Sequence, residues 1–157
     1  MTEEEKDEFY IQKTREHIAR VKDIGFYIVG DIQLKFISHD KSKLQEPEFK
    51  GFREATPELR KSSYMSDEYK KIMQDDLKET LKHHYANNTH HPEHYENGIN
   101  GMTLMDLIEM IADWWAASER HPDGSVEESI KLNSKRFNLS PQLEDILNNT
   151  IKELKNK

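Results

Sequence analysis

The chain has 157 residues, a formal charge of −7 and no cysteine, a length that suits one domain with a single buried core. Without thiols there are no disulfides, thiolate metal sites or cysteine nucleophiles, so any metal site must be built from His nitrogen and Asp or Glu oxygen. The acidic balance argues against a broad duplex-binding surface, which needs many Lys and Arg set against phosphates, but leaves room for a small phosphorylated substrate.

Apolar residues recur at helical spacing along most of the sequence and no run alternates with strand period, so the expected class is all-α, a compact single-domain bundle of about 5–7 helices. The first helix is expected from about residue 3 towards 37, with a break near Gly25 and Gly30, because each glycine costs a helix roughly 1 kcal/mol. A short helical turn is expected over 39–44. Residues 45–66 contain Pro47, Gly51 and Pro57 and read as a loop-rich connection with one short helix. Ser66 is placed to cap a helix over 67 to about 84, with Ile72, Met73, Leu77 and Leu81 on its buried side. Residues 85–102, rich in Asn, His and Gly, read as a long loop, which in a compact domain is usually functional.

Thr103 then caps a helix from 104 to about 120, whose main apolar stripe is Leu104, Leu107, Ile108, Ile111, Trp114 and Trp115. His121, Pro122, Asp123 and Gly124 make a turn. Ser125 with Glu128 reads as a capping box opening a helix to about 137, and Ser140 followed by Pro141 opens the last. These two carboxy-terminal helices read as structural. No segment approaches the roughly 20 apolar residues of a membrane span, and the acidic residues 1–8 lack the order of a signal peptide, so a cytosolic protein is expected.

Of eight histidines, five (His83, His84, His90, His91 and His94) fall within residues 83–94. Five imidazoles and Glu93 at the end of an apolar helix can converge on a cation; the bland alternative is a solvated polar loop. His84 continues the Met73, Leu77 and Leu81 stripe and is the better inward candidate of its pair. His17 precedes Val21, Ile24 and Ile28 by four, seven and eleven residues, which places it on the apolar face of the first helix, pointing inward, either as a core histidine with one hydrogen bond or as a ligand. His39 and Asp40 are adjacent and could both reach one cation, or could form a cap or turn. Asp113 lies with Asp106 and Glu109 on the other side of a helix apolar around most of its circumference. A buried carboxylate there costs several kcal/mol unless it is paired or metal-bound; a narrow exposed stripe would give the same pattern.

The succession His17, His39-Asp40, the histidine cluster, then Asp113 resembles the H…HD…H…HH…D order of the HD superfamily of metal-dependent phosphohydrolases. Glu16-His17-Ile18-Ala19-Arg20-Val21 resembles that group's first-helix histidine with its Arg-Val. His39-Asp40-Lys41-Ser42-Lys43 is similar to the HDxGK segment of HD-GYP phosphodiesterases, and His90-His91-Pro92-Glu93 to their HHE segment. The likeness covers about residues 16–117. The Gly-Tyr-Pro tripeptide is missing, Ser42 stands in place of the glycine, and His84 lies closer to His90 than its counterpart does, so substrate identity does not carry over. The string HHPEHYENGINGMTLMDLIEMIADWWAA also resembles a family of small bacterial and phage proteins.

The resemblance implies a phosphomonoesterase or phosphodiesterase acting on a nucleotide or related small phosphate. His17, His39, Asp40 and Asp113 would hold one divalent ion, and Asp40 would bridge to a second held by His84, His90 and His91, with Lys43 neutralising charge on the phosphate. Manganese, iron, magnesium, nickel or cobalt would suit such ligands. A non-catalytic nucleotide- or metal-binding module and a di-iron oxygenase are the competing expectations. Oligomeric state is left open, a homo-oligomer included.

Overall fold

A computed structural model describes residues 1–62, 66–120 and 124–157. All regular structure among these residues is helical: seven α-helices linked by 3-10 and π turns, with no strand. The all-α expectation holds. His121, Pro122 and Asp123, expected in a turn, lie outside the described residues. The chain divides into two compact units, residues 1–37 and 38–157.

The first unit consists almost wholly of helix α1, Glu3–Ser38, whose last residue opens the second. Its start is capped reciprocally: Glu5 N–H donates to Thr2 Oγ1 and Thr2 N–H donates to Glu5 Oε2. Glu3, Glu4 and Glu5 in the first turn complement the helix dipole. The break expected at Gly25 and Gly30 is absent, since isolated glycines weaken a helix without ending it. No residue of α1 is buried, and Ile18, Val21, Ile24, Phe26, Tyr27 and Ile28 are exposed.

In the second unit a 3-10 turn, Lys41–Leu44, leads to α2, Glu48–Lys61. The sequence reads this region as mostly loop; instead α2 runs for 14 residues through Pro57. It packs on α4, Lys78–Asn87. Gly51 permits the approach, because a Cβ at that position would collide with the Thr80 side chain. The single helix expected over 67–84 is divided into α3, Asp67–Lys71, a π turn, Ile72–Asp76, and α4. A π turn rotates the helix beyond it relative to the helix before it. Of the expected stripe only Leu77, at the junction, is fully buried.

The long loop after α4 is ordered by two 3-10 turns, Pro92–His94 and Gly98–Gly101. Thr103 then forms a full capping box with Asp106 and opens α5, Leu104–Ser118. Ser125 caps α6, Val126–Phe137, and Ser140 caps α7, Pro141–Lys155. Met110, Ile111, Trp114, Val126, Ile130, Leu139, Leu147 and Ile151 form the core among α5, α6 and α7. Each fully buried aliphatic side chain there contributes about 1.5–3 kcal/mol.

Of the expected stripe on α5, Ile111 and Trp114 are buried and Leu104 is 65% exposed, while Asp106, Glu109 and Met110 on the other side are buried as well. The helix is covered on two sides, and one of them is acidic. No described helix is long and apolar enough to cross a membrane.

Candidate metal centre

Four segments of the second unit converge. The turn after α1 brings His39 and Asp40, the end of α4 brings His84, the loop brings His90 and His91, and α5 brings Glu109 and Asp113. Asp40 adopts left-handed backbone angles, φ 55° and ψ 14°. Asp enters this region more readily than most residues, but only glycine does so without penalty, and such backbone conformations cluster at functional sites.

Two buried carboxylates orient the imidazoles. Glu48, wholly inaccessible at the start of α2, accepts from Nδ1–H of His84 at 2.8 Å on one oxygen and from Nδ1–H of His83 at 2.8 Å on the other. Ser42 Oγ–H also donates to it at 2.8 Å, and Ser42 in turn accepts from Asn88 Nδ2 at 2.9 Å. Glu109 plays the corresponding part opposite, facing Nδ1 of His39 at 3.0 Å and Nδ1 of His90 at 3.2 Å. A carboxylate can only accept, so when the His39, His84 or His90 ring is neutral its proton sits on Nδ1 and Nε2 presents its lone pair to the interior.

The inward atoms lie at the spacing of metal ligands. Nε2 of His84 is 2.9 Å from Nε2 of His91 and 3.4 Å from Asp40 Oδ1, which is 3.6 Å from Nε2 of His90. On the other side Nε2 of His39 is 3.5 Å from Asp40 Oδ2 and 3.6 Å from Asp113 Oδ1. Donors held about 2.1 Å from one cation stand roughly 3.0–3.4 Å apart in octahedral or tetrahedral geometry. Asp40 Oδ1 and His90 Nε2 are moreover buried without a hydrogen-bond partner. Two acceptors that face each other in a dry site repel unless a cation or proton lies between them.

Charge at the site is set by these contacts. Hydrogen bonds to Asp113 and Glu109 raise the pKa of His39 to about 10. Burial lowers that of His84, with Lys43 adding to the effect. Burial, helped by His90 and His84, pushes His91 down to about 3. Burial works to raise the Asp40 carboxyl, but the neighbouring Lys43 ammonium, 2.6 Å away, outweighs it together with His39, and the group stays below the usual range. Asp113 is likewise held low against burial, chiefly by His39. Lys43 also lies over the Phe52 ring, 5.0 Å from its centroid.

The structure therefore brings together His39, Asp40, His84, His90, His91 and Asp113 in two donor groups that share Asp40, and adds a third group of His39, His90 and Glu109. His17 lies on α1 in the first unit, whereas all three groups are drawn from the second. His83 turns outward to Glu48, and His94 Nδ1–H donates to the Tyr85 carbonyl. Glu48 carried no mark in the sequence: its partners lie 35 and 36 residues away, and only the packing of α2 on α4 reveals it.

A buried cluster of His and Asp that could hold a metal ion, set in an all-helical fold, defines the class of protein. The chain belongs to a family of unknown function (DUF5662), which it matches over residues 6–153. No curated protein and no solved structure matches it.

Proposed function

We propose that the protein is a metal-dependent phosphohydrolase, acting on a nucleotide or related small phosphate through a pair of divalent ions. The observation that carries the reading is that Asp40 belongs to both donor groups, one oxygen facing His84 and His90, the other facing His39. A carboxylate so placed suits a bridge between two ions. The order of motifs shared with HD phosphohydrolases supports the same assignment.

In this reading His39 and Asp113 would hold one ion and His84, His90 and His91 the other, with Asp40 available to both. Two bound ions would polarise phosphoryl oxygens and acidify a water for in-line attack. Lys43, anchored on Asp40 at the rim, pairs with a phosphate oxygen when substrate enters. Four imidazoles and two carboxylates suit manganese, iron, cobalt or nickel better than magnesium, which prefers oxygen and keeps its waters.

The test is elemental analysis of purified protein together with a screen of p-nitrophenyl phosphate, bis-p-nitrophenyl phosphate and nucleotides under each of these ions. Turnover by wild type that Asp40→Ala abolishes, with helical content unchanged, is expected. Full metal occupancy with no turnover on any substrate would overturn the enzyme reading in favour of a binding module.

A further inference from the structure

We propose that Glu48 is a positioning residue for the donor group of Asp40, His84, His90 and His91: it fixes the tautomer and rotation of His84 so that the Nε2 lone pair faces Asp40. The inference rests on the reading of these side chains as metal ligands.

Glu48 stands behind the inward donor atoms. Its Oε2 meets the far nitrogen of His84, and Ser42 and His83 donate to it as well, so that both oxygens are engaged. Without an acceptor at Nδ1, His84 would be free to carry its proton on Nε2 instead, and that tautomer cannot ligate through the atom that faces Asp40. The ring is 1% exposed, which keeps water from replacing the carboxylate, and Ser42 Oγ stands farther from Nδ1, at 3.5 Å against 2.8 Å for Glu48. A carboxylate behind a ligating imidazole also raises its basicity, and loss of such a partner typically lowers metal affinity about 10- to 100-fold. The geometry is held by the backbone as well, for Glu48 stands one turn before Gly51 and His84 one turn after Thr80, the pair at which α2 and α4 make their close approach.

Glu48 acts on one donor group. Its hydrogen bonds go to Ser42, His83 and His84, whereas Glu109 faces Nδ1 of His39 and of His90 and so touches both groups. That asymmetry separates positioning from a general contribution to folding.

The experiment uses the full chain, as wild type, Glu48→Gln, Glu48→Leu and His83→Ala. Co2+ uptake is titrated by visible absorption, and imidazole tautomers of the metal-free protein are assigned from 15N–1H long-range correlations. Gln can keep an oxygen towards His84 while the half-exposed His83 adapts to its amide, so it loses the charge but keeps the orientation. Leu loses both. One Co2+ equivalent should weaken about tenfold in Glu48→Gln and about a hundredfold in Glu48→Leu, with the other equivalent and the His83→Ala variant unchanged, and the His84 proton should leave Nδ1 only in the Leu variant. If wild type takes two equivalents and both Glu48 variants bind them with wild-type affinity, the inference fails and the metal reading stands. Parallel weakening of both equivalents, tracking a fall in melting temperature, would assign Glu48 a structural role and overturn the inference. Absence of any Co2+ uptake by wild type would sink the metal reading and this inference with it.

Discussion

Binding of metal on the His39 side should release a proton, and its affinity should climb with pH. The ring is held by Asp113 and Glu109 with a pKa of about 10 against an ordinary 6.5, so at pH 7 the ion competes with a proton three pH units below its dissociation. That competition costs about 4 kcal/mol, roughly a thousandfold in affinity, which is recovered tenfold per pH unit up to about 10. His84 and His91, both shifted down and the latter to about 3, have no proton to displace over this range. Titration calorimetry in two buffers of different ionisation heat, at pH 7, 8 and 9, counts the protons released. One proton for the His39-side ion is expected, and none after His39→Ala. The metal-free protein should show the opposite trend. A group whose folded pKa is raised stabilises in full below its unfolded value of about 6.5, and that stabilisation is lost as pH rises through about 10. The melting temperature of metal-free protein should therefore fall between pH 7 and 10, while the increment conferred by metal grows. An affinity independent of pH between 7 and 9, with metal bound, would refute the charge state assigned to His39.

Asp40→Gly and Asp40→Ala should both lose metal-dependent hydrolysis, but by thermal melting the Gly variant should be the more stable by about 1 kcal/mol, because only Gly adopts a φ of 55° without penalty. Glu109→Gln should weaken uptake of both Co2+ equivalents, since Glu109 faces Nδ1 of His39 and of His90, and should lower the His39 pKa towards its ordinary value in an NMR titration. Gly51→Ala, whose Cβ would meet Thr80, should destabilise the fold by about 1–3 kcal/mol in urea unfolding and weaken the His84-side ion more than the other.

Much of the site was legible because its members declare themselves locally. His39 and Asp40 are neighbours, His90 and His91 are neighbours, and His84 and Asp113 sit in helices whose apolar surroundings make a polar side chain conspicuous. Glu109 was visible only as part of the acidic stripe one turn before Asp113. Nothing local distinguishes Glu48, because it lies between two prolines in a segment that reads as loop, and its role exists only once α2 lies against α4. For His17, helical spacing identifies the face of α1 on which it lies, but not what that face meets. The division of the 67–84 helix was equally hidden, since a π turn changes one hydrogen-bond register without a glycine or proline to mark it.

The placement of the acidic donors is dictated by the core rather than by the site. Met110, Ile111 and Trp114 pin α5 against α6 and α7, and Glu109 and Asp113, interleaved with them on the same helix, inherit that rigidity on the opposite side. Carboxylates on a flexible loop would escape burial and mutual repulsion by turning to water. On a helix locked by its apolar face they cannot turn away, so the repulsion persists until a cation is present, here the protonated His39 ring or a divalent ion. The same packing that stabilises the fold thus maintains a standing demand for positive charge beside Glu109 and Asp113, which the protonated His39 ring meets and for which a bound metal would compete.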